Sequence, residues 1–418
     1  MVQQVIDVGT VANDRTGDTW RDAMIKANEN FTEVFDDIAA IGVNFIAQES
    51  DFPNQDANNI YIDGYYWITS SFSTAKNFVF TVDGATFTCG STNGPLVTFT
   101  GSGDMFSATD VDAAVIYAHV DAGTGNRAFN FVDTVGGTKQ GIMRYTRVET
   151  CAAFGYFEDL TFLNIFNCDS AATDGVEIAG TSNFIISIAA FGLVSSSASF
   201  KGIDLGSATA TVIEFSDLLF VAPAGAYGIS GLASNGNVVA GSIATVTGST
   251  FSGGMDALEN ITVDDVRWLF RNNSPIPDTQ PDALLSFTGN AAATTVPGTG
   301  AGALVNATWT INATSFYTGT AAGRATYNGE RDLRSPIDIA VDVEPSSGTN
   351  KLIAVFVAIN GTVVASSRRI IRADAGDPKS IPVIWQYTFA ENDYVEVFVD
   401  NLTDTVSIVV SAGVLRVR

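Results

Sequence analysis

Two short stretches carry an acid at the same place in the same pattern. They are Gly175-Val176-Glu177-Ile178 and Gly202-Ile203-Asp204-Leu205, and their acids lie 27 residues apart. In an extended strand the apolar neighbours turn inward and Glu177 and Asp204 turn outward. If 27 residues make one coil of a stacked fold, the two carboxylates sit one above the other, about 4.8 Å apart. Like charges stacked directly are mildly unfavourable. A pair that shares one proton supplies the acid and the base or nucleophile of glycoside cleavage. The competing reading is a solvated pair, screened by water and salt at little cost. A third copy, Gly228-Ile229-Ser230, has serine at that position and limits the ladder to two acids.

Sugar binding uses aromatic faces with hydrogen bonds from acids and amides around them. Tyr61-Ile-Asp-Gly-Tyr65-Tyr66-Trp67 and Phe154-Gly-Tyr156 offer such faces, with Tyr65, Tyr66 and Trp67 as the candidate ligand contacts. Strand packing explains the same residues. Arg368, Arg369 and Arg372 form a basic spot in an acidic chain and suit an anionic glycan. Solvated edge-strand charges that discourage sheet pairing are the alternative there.

Composition removes much other chemistry. The 418 residues hold 21 basic and 45 acidic side chains, a net charge of −24, which repels phosphate backbones and anionic lipid. Neither a nucleic-acid partner nor membrane insertion is expected, and no apolar run reaches the length of a membrane span. The single histidine, His119 in Val115-Ile-Tyr-Ala-His119, excludes Ser-His-Asp and Cys-His catalysis and reads as a satisfied, partly buried side chain. Cys89, Cys151 and Cys168 have no C-x-x-C spacing, so no disulfide framework, metal site or cofactor is expected. Assembly in a reducing cytoplasm fits them, as does a start without signal-peptide character.

The elements that must position these residues fall into three segments. In residues 1–44, Thr19 and Asp22 read as a capping box opening a helix. Trp20, Met24, Ala27, Phe31, Val34, Ile38 and Ile41 follow at alternating spacings of 4 and 3, the pattern of a coiled coil. An amphipathic helix docked on its own chain is the other reading. In residues 45–275, β-branched and aromatic runs are broken by Gly, Ser, Asn and Asp, and the Gly-apolar-polar pattern recurs at 27 and 26 residues. That predicts a right-handed parallel β-helix, with a β-sandwich as the alternative. Ser274-Pro275-Ile-Pro277-Asp-Thr-Gln-Pro281 marks a boundary where the charge also changes, from −20 before residue 276 to −4 after it. Residues 276–418 alternate strongly and carry a hairpin signal at Asn360-Gly361, which predicts a jelly roll or related sandwich.

The string Val8-Gly9-Thr10-Val-Ala-Asn13-Asp14-Arg15-Thr16-Gly17-Asp18, running on to Asn28-Glu-Asn30-Phe31, resembles the N-terminal segment of bacteriophage tail fibres and tailspikes. Arg15 stands where glycine is common and Trp20 where leucine is common. The C-terminal succession Tyr327-Asn-Gly329, Ser347-Gly-Thr-Asn-Lys351, Asp377-Pro-Lys-Ser and Glu391-Asn-Asp393-Tyr-Val-Glu is similar to phage jelly rolls of the trimeric tumour-necrosis-factor/C1q type. The resemblance implies a virion-associated homotrimer. Its N-terminus would dock on a tail or adaptor protein, and its distal part would bind a host surface polysaccharide. A depolymerase cleaving that glycan, and a structural head fibre, decoration or adaptor protein without a glycan site, are the other expectations.

Overall fold

The computed structural model describes residues 42–233, 236–263, 265–297 and 300–418. The coiled-coil positions Trp20 to Ile41 lie outside the described residues, as does nearly all of the segment 1–44. Two compact units make up the described chain. The first runs to Leu232 and takes in Gly248–Asn260; the second comprises Ala233–Thr247 and Ile261–Arg418.

The first unit is a parallel β-solenoid of short coils. One ladder stacks Asn59–Ile62, Asn77–Phe80, Asp104–Thr109, Gly123–Val132, Arg147–Glu158, Phe162–Ala179, Lys201–Asp204, Tyr227–Ser230 and Asp256–Glu259 in parallel register. The longer strands continue around corners and feed neighbouring ladders, which is why Phe162–Ala179 pairs with both Asn183–Val194 and Lys201–Asp204. The hydrophobic pattern dictates this winding. Strand residues alternate in and out, and the inward set is rich in phenylalanine.

That inward set forms a spine. Phe78 stacks on Phe106 at 5.1 Å between ring centroids, and Phe106 on Phe129 at 5.5 Å. Phe129, Phe154, Phe191, Phe220 and Phe251 continue it at 4.8–5.8 Å. Coil spacing near 4.8 Å places equivalent rings in contact, so the same residue type one coil on becomes its own packing partner.

In the second unit Ala244–Thr247 pairs in parallel with Trp268–Arg271. The rest is antiparallel. One sheet orders Thr310–Ser315, Asp282–Thr288, Ile408–Val417, Leu333–Pro345 and Lys379–Phe389. The other orders Tyr317–Gly319, Ala325–Tyr327, Tyr394–Asn401, Lys351–Ile359 and Thr362–Val363. Both turn one face into a shared core that includes Leu285, Ile339, Val355, Val397 and Leu415. The expected hairpin is present: Asn360 and Gly361 have φ of 51° and 73°, and Ile359 faces Thr362. Among the described residues the only helices are the short turns Glu49–Asp51 and Ala365–Ser367, and no helix is long and apolar enough to cross a membrane.

Candidate active site

A second ladder of the solenoid carries the densest chemistry. Leu96, His119, Arg147, Asp169, Gly192 and Leu219 occupy one register position on successive coils. Their neighbours Val97, Val120, Val148, Leu193 and Phe220 are buried in the core, so the ladder itself faces outward. Glu149 joins it through an irregularity. The pairing of Arg147–Glu158 with Phe162–Ala179 slips between Val148 and Thr150, leaving Glu149 as the extra residue of a bulge. A bulge re-aims its side chain.

Glu149 is turned back toward the ladder. Its Oε1 lies 2.7 Å from His119 Nε2 and 3.1 Å from Arg147 Nε. The same Arg147 Nε lies 3.7 Å from Asp169 Oδ2. Those carboxylate oxygens therefore lie at most about 7 Å apart, and the carboxyl pairs of glycoside hydrolases lie about 5–9.5 Å apart. His119 Nδ1 is 3.1 Å from the Gly94 carbonyl oxygen, which can only accept. Both ring nitrogens thus face acceptors, and which of them donates depends on the tautomer. His119 is satisfied and half-buried as its sequence context suggests, and its partner is a carboxylate at the edge of a cleft.

The cleft encloses about 320 Å³ and is lined by Arg147, Glu149, Asp169, Ala171, Gly192, Val194 and Leu219, among others. Small residues make it. Gly192 and Ala171 leave the floor low between the polar end and the exposed apolar walls Val194 and Leu219. Asp169 reaches solvent at the mouth, yet the protein packed on its other side withdraws water and raises its carboxyl above the usual aspartate range. Glu149 adds to that rise, while Arg147 and His119 oppose it. A carboxyl inclined to keep its proton, beside a second carboxylate on an open apolar cleft, is an acid–base arrangement.

The ladder anticipated from Glu177 and Asp204 exists as a register: the two are paired, with Tyr156 before them and Ser230 and Glu259 after. A lysine joins it beside Asp204. Lys201 Nζ lies 3.1 Å from Asp204 Oδ2, 3.1 Å from Glu259 Oε2 and 3.2 Å from Ser230 Oγ. Burial pulls its ammonium down, but the bonds to Asp204 and Glu259 outweigh that and hold it above the usual lysine range. Asp204 also accepts from the Gly206 amide at 3.0 Å. Lys201 thus bridges Asp204 and Glu259, while Glu177 stands exposed one coil away.

The aromatic candidates divide by strand alternation. Tyr65 and Trp67 face outward, and Trp67 lies near Phe45 at 6.4 Å. Tyr66 is corrected: it points inward, fully buried and stacked on Phe52 at 5.4 Å, with its hydroxyl donated to Asp63 at 2.5 Å, so it cannot meet a ligand. In the other stretch Phe154 belongs to the buried spine, while Tyr156 is half-exposed beneath the Arg127 guanidinium. Arg368, Arg369 and Arg372 are exposed at strand Arg369–Ala373, which pairs with Lys351–Ile359, and Arg372 donates to Asn350 at 2.7 Å. Among the described residues no cluster of three or more metal-ligating side chains is present.

No sequence family and no curated protein matches the chain. Solved structures similar to it include the enzymatically active domain of tailspike protein 4 of bacteriophage CBA120, at 10% identity and a TM-score of 0.27, over 84% of this chain and 64% of that one. The tailspike protein of Acinetobacter baumannii phage AM24 is similar over 90% of this chain and 83% of that one, at 10% identity and a TM-score of 0.22. The vertex protein P5 of PRD1 is similar over 33% of this chain and 94% of that one, at 10% identity and a TM-score of 0.24.

Proposed function

We propose that this protein is a bacteriophage tailspike whose solenoid cleft binds a host surface polysaccharide and hydrolyses it. The observation that carries the reading is the pair Asp169 and Glu149, gathered on one Arg147 nitrogen at the edge of an open cleft. In this reading the protonated Asp169 gives its proton to the glycosidic oxygen as the bond from the anomeric carbon to that oxygen breaks. Glu149 faces the anomeric carbon either as the base that takes a proton from an attacking water or as the nucleophile. One water is consumed per bond. Arg147 and His119 are positioning residues that hold Glu149 Oε1. The N-terminal string from Val8 to Phe31 supports attachment to a virion tail or adaptor, and the spacing from Trp20 to Ile41 supports a homotrimer.

The test is a panel of purified bacterial capsular and O-antigen polysaccharides, with binding read by surface plasmon resonance and chain shortening by size-exclusion chromatography. The wild type should bind and shorten at least one member. Binding with no shortening would leave a receptor-binding fibre and remove the hydrolase. Neither binding nor shortening across the panel would favour a structural role.

A further inference from the structure

The corner that leads into the cleft ladder carries two residues that the fold does not call for. Tyr117 lies two positions before His119 and Tyr145 two before Arg147, so each ring hangs from backbone within about 7 Å of the ladder. Both have left-handed backbone, with φ of 51° each. The same conformation recurs on later coils at Asn167, Ala190, Asp217 and Gly248, with φ of 52°, 50°, 51° and 64°. Asparagine and glycine take it readily, whereas a bulky aromatic side chain does so at a steric cost.

The rings do not belong to the buried spine: Tyr117 is exposed and Tyr145 half-buried. The two tyrosines stack with centroids 4.6 Å apart and planes 5° from parallel, and Phe166 meets Tyr145 edge-on at 5.4 Å. Tyr117 is 43% exposed and Phe166 36%. Together they make a partly solvent-facing aromatic wall on the corner that leads into His119, Arg147 and Asp169.

We propose that the Tyr117–Tyr145 stack is a sugar-binding platform that holds the pyranose ring adjoining the one in the cleft. The exposed face of Tyr117 suits the C–H face of a pyranose. The two sugars would lie on either side of the bond presented to Asp169 and Glu149. The proposal rests on the reading of the cleft as a glycan site, and it adds the substrate's second point of attachment.

Tyr117→Asn and Tyr145→Asn place at each corner the residue that already stands at 167. The probe is the panel polysaccharide that the wild type binds, together with its own short fragments, titrated by calorimetry. Each variant should melt at the same temperature as the wild type or higher, and should bind the polysaccharide at least tenfold more weakly. A fragment short enough to fill only the cleft should lose little. Tyr117→Phe keeps the ring and should keep the affinity. Wild-type affinity in both Asn variants, or equal loss in Tyr117→Phe and Tyr117→Asn, would overturn the platform. If Gly192→Leu abolishes binding and the tyrosine variants do not, the platform alone falls. If the wild type binds no member of the panel, the cleft reading falls with it.

Discussion

Gly192 and Asp169 are register partners on adjacent coils, and a methyl group placed on Gly192 would sit 3.9 Å from Asp169 Cβ. That is ordinary contact, so the position accepts a side chain. Its absence is what opens the cleft floor. Gly192→Leu should fill the floor and abolish polysaccharide binding. It should cost no stability, since glycine inside a strand is itself unfavourable by about 0.5–1 kcal/mol. Thermal melts beside surface plasmon resonance separate the two effects, and a variant that still binds would move the site elsewhere.

Asp169 should leave a signature in stability against pH. Its carboxyl is raised in the folded chain above the ordinary value of an unfolded one, chiefly by desolvation. The folded state therefore binds this proton more tightly, and the corresponding stability is complete below the unfolded pKa. It is lost as pH rises through the folded value. Asp169→Asn removes the titration, so its melting temperature relative to wild type should rise between acid and neutral pH. Melts from pH 3 to 8 would show this; a relative fall with rising pH would contradict it.

The three thiols should be silent in the native protein. Burial pushes Cys89 and Cys168 up to about 12 and Cys151 up to about 11. Almost no thiolate exists at pH 8, and the sulfurs are enclosed. Ellman's reagent should titrate no thiol in buffer and all three in denaturant. Rapid native labelling of any one would place it nearer the surface than its coil allows.

Phe106 and Phe129 stack within the spine at 5.5 Å, both fully buried. Truncation of either to alanine removes contacts on the coils above and below and should cost about 3–5 kcal/mol. Tyr65→Ala, on the outward face, should cost far less. Denaturant titration of the three variants gives the ranking.

The proposed homotrimer is testable by mass. Sedimentation equilibrium at micromolar concentration should give three times the 44.0 kDa chain mass. A monomer would remove the coiled-coil reading of Trp20 to Ile41.

Much of the fold was legible because a nearly constant spacing, 27 and then 26 residues, persists where Glu177, Asp204 and Ser230 stack, and regular spacing translates directly into register. The Asn360-Gly361 hairpin was legible because only a few residue pairs accept positive φ twice in succession. The cleft was hidden for the opposite reason. From His119 to Arg147, Asp169, Gly192 and Leu219 the coils run 28, 22, 23 and 27 residues, so no constant period aligns them. Glu149 sits in a bulge, where alternation gives the wrong side. Tyr66 shows the opposite case: strict alternation between Tyr65 and Trp67 turns it inward, and aromatic type alone does not mark a ligand contact.

Release of reducing ends measures most directly whether Asp169 and Glu149 cleave a glycan in this cleft. The substrate is the panel polysaccharide that the wild type binds. Wild type, Asp169→Asn, Glu149→Gln, Glu177→Gln and Asp204→Asn should be compared at equal concentration. Cleavage by Asp169 and Glu149 predicts steady release by wild type, Glu177→Gln and Asp204→Asn, and at least a hundredfold loss in Asp169→Asn and Glu149→Gln with binding retained. Release by Asp169→Asn and Glu149→Gln at the wild-type rate, or loss confined to the Glu177 and Asp204 variants, would contradict it.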